Sequence, residues 1–310
     1  MIRLARSELL RIRSRRLVWV LAVLALVGIA VGVGIGTMKS HPPTSAEVAR
    51  ADKAFARATQ ACLRGEFIKE RRLPEGETLQ TWCPDNVLRS QYVFSSGTVL
   101  RVSGLPDMLK GTSFLLIVIG IVIGASSVGA DWQSGTMATL LTWEPRRIRV
   151  LLTRVLIVMA AVFALAVSLQ AVLGLAMMAG SALRGDSTTP PGFLTDVIEV
   201  ILRVGVVAAV ASAIGVAISS IGRSTAASLG VIFVYLALVE SLLRGLVARV
   251  TPWLLSANLF VIVDGRTQSL EGGDAAVFTV TFTHGVLTVG AYATALLILA
   301  LVFFRSRDVN

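Results

Sequence analysis

Residues 113–180 run without interruption as SFLLIVIGIVIGASSVGA (113–130), DWQSGTMATLLTWEPRRIRVLLTR (131–154) and VLIVMAAVFALAVSLQAVLGLAMMAG (155–180). The outer two stretches approach or exceed the roughly 20 apolar residues needed to cross a hydrocarbon core of about 30 Å. The middle one is polar and rich in arginine. Backbone groups in lipid must be satisfied within the protein, so uninterrupted apolar runs of this length are helices. The spacing therefore predicts two spans joined by a basic segment pressed against one membrane face.

Four further apolar runs lie near 17–36, 200–221, 226–246 and 286–304. The chain has 310 residues, 55% of them hydrophobic and 15% charged, with mean hydropathy +0.76, whereas a soluble domain carries about 25% charged residues. The expected fold class is an all-α integral membrane protein with six transmembrane helices in one domain. Residues 1–36 hold an interfacial helix and the first span. Residues 37–112 form an extracytoplasmic loop subdomain, and 113–310 the five remaining spans. Within 247–285, VTPWLLSANLFVIV is apolar but too short to span, which suits a re-entrant element.

Arginine sets the orientation. With both termini inside, the inner segments hold thirteen basic residues against four acidic ones, so most of the net charge of +10 lies on that side. This is the positive-inside bias. It explains the high pI through anionic lipid headgroups, with no nucleic acid required. In MIRLARSELLRIRSRR, Ile2, Ala5, Leu9 and Ile12 share a helical face between arginines, which describes an amphipathic helix lying on the membrane; a disordered basic tail is the alternative. The apolar run after it exceeds the usual signal-peptide core and lacks a small-residue cleavage site, so the first span is expected to be retained.

Cys62 and Cys83 are the only cysteines, and both fall in the external loop. That compartment permits a disulfide; two free thiols are the other reading. Two cysteines with His41 nearby make a poor zinc site. No HExxH, CxxC or GxSxG pattern occurs. GVAISSIGRST (215–225) has six residues between its glycines and Arg223 where a P-loop needs four and Lys, so it reads as a turn between spans. No metal or catalytic residue is assigned. Gly28, Gly32 and Gly36, and Gly120 and Gly124, have GxxxG spacing, which serves packing within the chain or a dimer seam. Glu199 and Arg203, and Glu240 and Arg244, are i,i+4 pairs near the outer ends of spans four and five. They are either interfacial pairs or a polar patch on an outward translocation path.

Residues 131–154 predict a short helix capped by Ser134, with Met137, Leu140 and Leu141 on one face, ended by Trp143–Pro145 and anchored by arginines. Such a segment either anchors the bundle or acts as a lever for a soluble partner. Here the chain resembles ABC-2-type exporter permeases. In ADWQSGTMATLLTWEPRRIRVLLTR, Asp131, Gly135, Thr136, Leu140, Leu141, Pro145, Arg147 and Arg154 follow that family's order of an acidic residue, Gly-Thr, Leu-Leu, Pro with Arg after it, and a basic residue entering the third span. Asp stands where the family often has Glu, and Arg154 where it often has Lys. The basic start, the IGRSTAA turn and the FRSRDV tail also resemble members of the family, especially actinobacterial ones.

The resemblance implies a plasma-membrane permease that dimerises with a second copy or a paralogue and exports a substrate. ATP and Mg would be bound by a separate cytoplasmic ABC ATPase, leaving this chain with no cofactor and no enzymatic site of its own. Residues 131–154 would carry the coupling helix, touching the ATPase through Met137, Leu140, Leu141 and Trp143 while Asp131 and Arg147 hold it to the spans. Two other classes stand beside this reading: a non-transporting scaffold or sensor built on the external loop, and a membrane-embedded transferase, for which no cluster of acidic ligands or nucleophile–base pair is visible.

Overall fold

The computed structural model describes residues 2–41, 44–65, 78, 80, 83, 100–143, 146–185, 187, 189–271 and 277–306. Among the described residues six helices are long and apolar enough to cross a membrane, and the protein is a multi-pass membrane protein. In chain order the helices are α1 (Ile2–Ser14), α2 (Arg16–Lys39), α3 (Ser45–Leu63), α4 (Leu105–Gln133), α5 (Thr136–Trp143), α6 (Arg147–Arg184) and α7 (Phe193–Gly222). After them come α8 (Thr225–Val234), α9 (Glu240–Leu246), α10 (Leu255–Asp264) and α11 (Phe282–Ser306). The spans outrun the apolar runs that announce them. With 38 residues, α6 is about 57 Å long at 1.5 Å per residue, longer than a hydrocarbon core of about 30 Å. Leu105 and Leu109 are fully buried, which draws the start of α4 eight residues back from Ser113. Pro106 is tolerated in that first turn because its missing N–H has no helical partner there.

The chain divides into two units. One comprises Met1–Gly28, Leu105–Gly174 and Pro191–Asn310. Its core is the pair α4 and α7, brought together by small residues. A Cβ on Gly120 would lie 2.6 Å from the Ala208 carbonyl oxygen, and one on Gly124 would collide with the Ser212 carbonyl. Of the two uses open to this GxxxG pair, the structure takes packing within the chain. Buried Ser127, Ser212 and Ser220 turn their hydroxyls back to carbonyls of their own helices, so the close approach leaves these polar atoms satisfied. Gln170 of α6 donates to the Leu109 carbonyl of α4 at 3.0 Å.

Between α7 and α8 the chain turns at Arg223 in the left-handed region (φ 52°), and Ser224 caps α8 by accepting from the Ala227 N–H. The fifth span, Thr225–Leu246, is interrupted by a π-helical turn at Tyr235–Val239 and is far less buried than α4 or α7. Helix α10 is apolar and ten residues long. Asn258, fully buried, fixes its entrance by donating to the Pro252 and Leu254 carbonyls at 2.8 Å. A two-stranded antiparallel hairpin, β1 (Gln268–Glu271) with β2 (Val277–Val280), pairs Gln268 with Val280. The sequence reading missed it, because four-residue strands are too short to display a period.

The second unit comprises Ile29–Gly104 and Leu175–Pro190. Thr44 and Glu47 form a capping box that starts α3. Cys62 and Cys83 are disulfide-bonded, with Cα atoms 6.0 Å apart, and pack against Phe55 and Ala58. Ser40 donates to the Arg184 carbonyl and accepts from the Leu100 N–H.

Candidate functional site

The ends of α1, α4 and α6 meet in a knot of buried charge. Arg154, near the start of α6, is 1% exposed. It reaches Asp131 at the end of α4 at 2.8 Å and grips Glu8 of α1 with two nitrogens, Nη2 at 2.9 Å and Nε at 3.2 Å. Asp131, 6% exposed, also accepts from Arg11 at 3.0 Å and Arg15 at 2.7 Å. Arg15 donates further to the carbonyls of Ser126 and Ser127. Burial lowers the Arg15 pKa, with Asp131 opposing the shift, and the guanidinium stays charged. Two carboxylates thus serve three guanidiniums, and every oxygen of Asp131 and Glu8 has a charged donor. Each helix brings what its sequence allows: α1 a single acid among arginines, α4 an acid just beyond its apolar run, and α6 a planar fork suited to bidentate pairing.

The knot also fixes the start of α5. The Asp131 carboxylate lies in the knot, while its main-chain carbonyl accepts from Ser134 Oγ at 3.4 Å and Thr136 Oγ1 at 3.3 Å. Gly135 turns the chain at φ 71°, a conformation glycine adopts freely. Ser134 is therefore not the cap foreseen from the sequence: its hydroxyl is spent on Asp131 and Thr136, and α5 begins after Gly135. Met137 is 1% exposed; it anchors α5 inward and does not belong to a contact face. Leu140, Leu141 and Trp143 lie in α5 with side chains outside the described residues, as is Pro145. Arg147 donates to the Phe304 carbonyl of α11 at 3.5 Å. Trp132 completes the surround, edge-on to Phe304 with centroids 6.0 Å apart and 4.5 Å below the Arg223 guanidinium.

Asp131 and Arg154 were singled out in the sequence, but their partners Glu8, Arg11 and Arg15 were not. A signal existed: Glu8 is the one acid among six arginines of the first sixteen residues, and such an acid on an amphipathic face is costly to bury without a partner.

Glu199 and Arg203 form the expected pair on α7, 2.5 Å apart, and Arg203 lies over the Phe282 ring. Glu240 and Arg244 do not pair. Glu240 is 3% exposed and accepts from the Ser256 backbone N–H at 3.0 Å and from its hydroxyl, while Arg244 donates to the same hydroxyl at 3.3 Å. The first turn of α10 offers Glu240 an unsatisfied N–H and the positive end of a helix dipole, and this competes successfully with an exposed guanidinium. Among the described residues no group of three or more His, Cys, Asp or Glu side chains is placed to hold a metal ion.

A family model described as ABC-2 family transporter protein matches residues 2–309, a range that includes the knot, α5 and α10. A search of curated proteins gave no match.

Proposed function

The chain belongs to the ABC-2 transporter family, and from that premise we propose that it is the permease of an ATP-driven exporter whose ATP and Mg are held by a separate cytoplasmic ATPase. Membrane proteins of this family partner with cytoplasmic ABC ATPases and carry no ATPase site of their own. The observation that carries the proposal is the double use of Asp131. Helix α5 has eight residues, too few for stability in isolation, and its first turn hangs from the same residue whose carboxylate ties α1 to α6. Force applied to α5 passes through Asp131 into three helices at once.

In this reading both termini and residues 131–154 face the cytoplasm, as the arginine bias requires. Leu140, Leu141 and Trp143 of α5 meet the ATPase. Closure of the ATPase tilts α5, and the knot turns that tilt into relative movement of α1, α4 and α6. Taking a two-state permease from mostly inward to mostly outward requires about 5.5 kcal/mol of differential binding, which ATP supplies through the partner. A second copy or paralogue completes the path, and Glu199, Arg203, Glu240 and Arg244 stand near its outer end.

The test is reconstitution with the ATPase that co-purifies from native membranes. Leu141→Asp is expected to abolish permease-dependent stimulation of ATP hydrolysis while leaving membrane insertion unchanged. Undiminished stimulation would remove α5 from the coupling path, and turnover of ATP by the chain alone would overturn the division of labour.

A further inference from the structure

Asp131 and Trp132 are successive residues in the last turn of α4, about 100° apart around the helix, and they face different helices. Asp131 turns to α1 and α6. The Trp132 ring lies 4.5 Å from the Arg223 guanidinium, in the turn between α7 and α8, and 6.0 Å, edge-on, from the Phe304 ring near the end of α11. Arg147, just beyond α5, donates to the Phe304 carbonyl. The end of α11 is therefore held from both ends of the α5 segment.

The end of α4 also lies directly on the turn between α7 and α8. Gly129, three residues before Trp132 and so on the same side of α4, has no room for a methyl group. Its Cβ would lie 2.5 Å from the Thr225 backbone nitrogen and 2.7 Å from Ser219 Oγ. Gln133 donates to the hydroxyl of Ser224, the cap of α8, at 3.4 Å. Arg223 holds a left-handed backbone conformation, φ 52°, which is unfavourable for a residue with a Cβ. Gly222 stands beside it, yet the chain turns at the arginine. Strain of this kind persists where the surroundings hold it and recurs at functional sites; here it delivers a guanidinium to the face of Trp132. The Trp132 indole N–H is buried and has no hydrogen-bond partner among the described residues. Face and edge contacts alone place the ring, and they tolerate sliding better than a directional hydrogen bond does.

We propose that Trp132 is a positioning residue of the transport cycle. Displacement of α5 reaches the end of α4 through Asp131. Trp132 passes it on, through Arg223 to the fifth span, Thr225–Leu246, and through Phe304 to the sixth, Phe282–Ser306. Asp131 serves α1 and α6 while Trp132 serves the α7–α8 turn and α11, so one turn of α4 drives both groups of helices. This inference rests on the transporter reading above.

Full-length variants are reconstituted with the ATPase that co-purifies from native membranes. Three quantities are read: ATPase retained per permease, thermal midpoint, and permease-dependent stimulation of ATP hydrolysis. Ala226→Cys, at an exposed site in the first turn of α8, adds a fourth. This is its rate of reaction with maleimide, with and without a non-hydrolysable ATP analogue, the native cysteines being bonded to each other. Arg223→Gly removes the guanidinium and relieves the backbone. It is expected to keep the midpoint and the bound ATPase while stimulation falls about tenfold, the worth of one partly desolvated cation–π contact. The nucleotide-dependent change in rate at position 226, present in the otherwise unaltered chain, is expected to vanish with it. Trp132→Ala should do the same, and Trp132→Phe should retain most of both signals. Trp132→Ala combined with Arg223→Gly should be no worse than either alone. If Trp132→Ala fails to insert, Arg223→Gly carries the test. Undiminished stimulation in Arg223→Gly, losses that only track the midpoint, or losses that multiply in the double variant would each overturn the inference. Loss of stimulation in Leu141→Asp but not in Arg223→Gly overturns this inference alone. Absence of stimulation by the wild type overturns the transporter reading, and this inference with it.

Discussion

Asp131 and Arg154 stand on either side of α5 in the sequence and meet at 2.8 Å in the fold, so that the segment between them is a closed loop pinned at its base. Removing one partner of a buried pair leaves an uncompensated charge and costs about 3–5 kcal/mol. Arg154→Gln takes both close donors from buried Glu8 and one of three arginines from Asp131, and is expected to lower the thermal midpoint of the purified protein sharply. Adding Glu8→Gln to it should recover part of the loss, a coupling of about 0.5–3 kcal/mol in a double-mutant cycle. Strict additivity would mean that the three helices are held by something other than the knot.

The glycines of α4 make a second prediction. At Gly124 a methyl group would meet backbone, the Ser212 carbonyl, and backbone cannot rotate aside. Gly124→Ala is expected to destabilise the protein by about 1–3 kcal/mol, as overpacking does. Gly28 has open space where its Cβ would go, so Gly28→Ala should be neutral or stabilising by up to about 1 kcal/mol through helix propensity. Thermal unfolding of the two variants side by side checks both. A marked loss from Gly28→Ala in the assembled protein, absent from the separated chain, would place that surface against another subunit.

What the sequence revealed and what it withheld divide along the same physical line. Long apolar runs are a local property, so six spans could be read directly, and the turn at Arg223 followed from its breakers. Partnership is not local. Glu240 shows favourable spacing to Arg244, yet its hydrogen bonds go to Ser256, because α10 presents an open N–H at the right place. Asp131 likewise draws Arg11 and Arg15 from the N-terminal segment, partners that nothing in its own stretch of sequence announces. Helical periodicity predicts which face a side chain occupies; it does not predict which distant helix arrives there.

The capping box of α3 predicts a pH dependence. Hydrogen bonds from the backbone and side chain of Thr44 hold the Glu47 carboxyl below its ordinary value. A carboxylate whose folded pKa is depressed contributes stability that is complete above its unfolded value, about 4.3, and is lost as the pH falls through the folded value. Amide exchange in the first turn of α3 should therefore quicken, relative to the chemical rate, as the medium falls below about pH 4. Glu47→Gln should remove most of that pH dependence, since Gln keeps the shape of the box without the titration. An unaltered profile in Glu47→Gln would assign the change to another group.

The disulfide supplies the test on which the orientation, and with it the coupling reading, depends. Cys62 and Cys83 close a loop across a sequence separation of 21, which contributes on the order of 3 kcal/mol by restricting the unfolded chain. Both thiols should resist alkylation until reductant is added, and reduction should loosen the unit that contains α3. Cys62→Ser then leaves Cys83 as the only thiol in the protein. If the arginine bias orients the chain, a membrane-impermeant maleimide labels Cys83 in intact cells, because residues 37–104 lie outside and 131–154 inside. In the coupling reading α4 is the one candidate span between the two segments, so that reading needs them on opposite sides. Labelling that requires lysis would therefore put α5 outside, where no cytoplasmic ATPase can touch it, and the coupling mechanism would fail however well the knot is built.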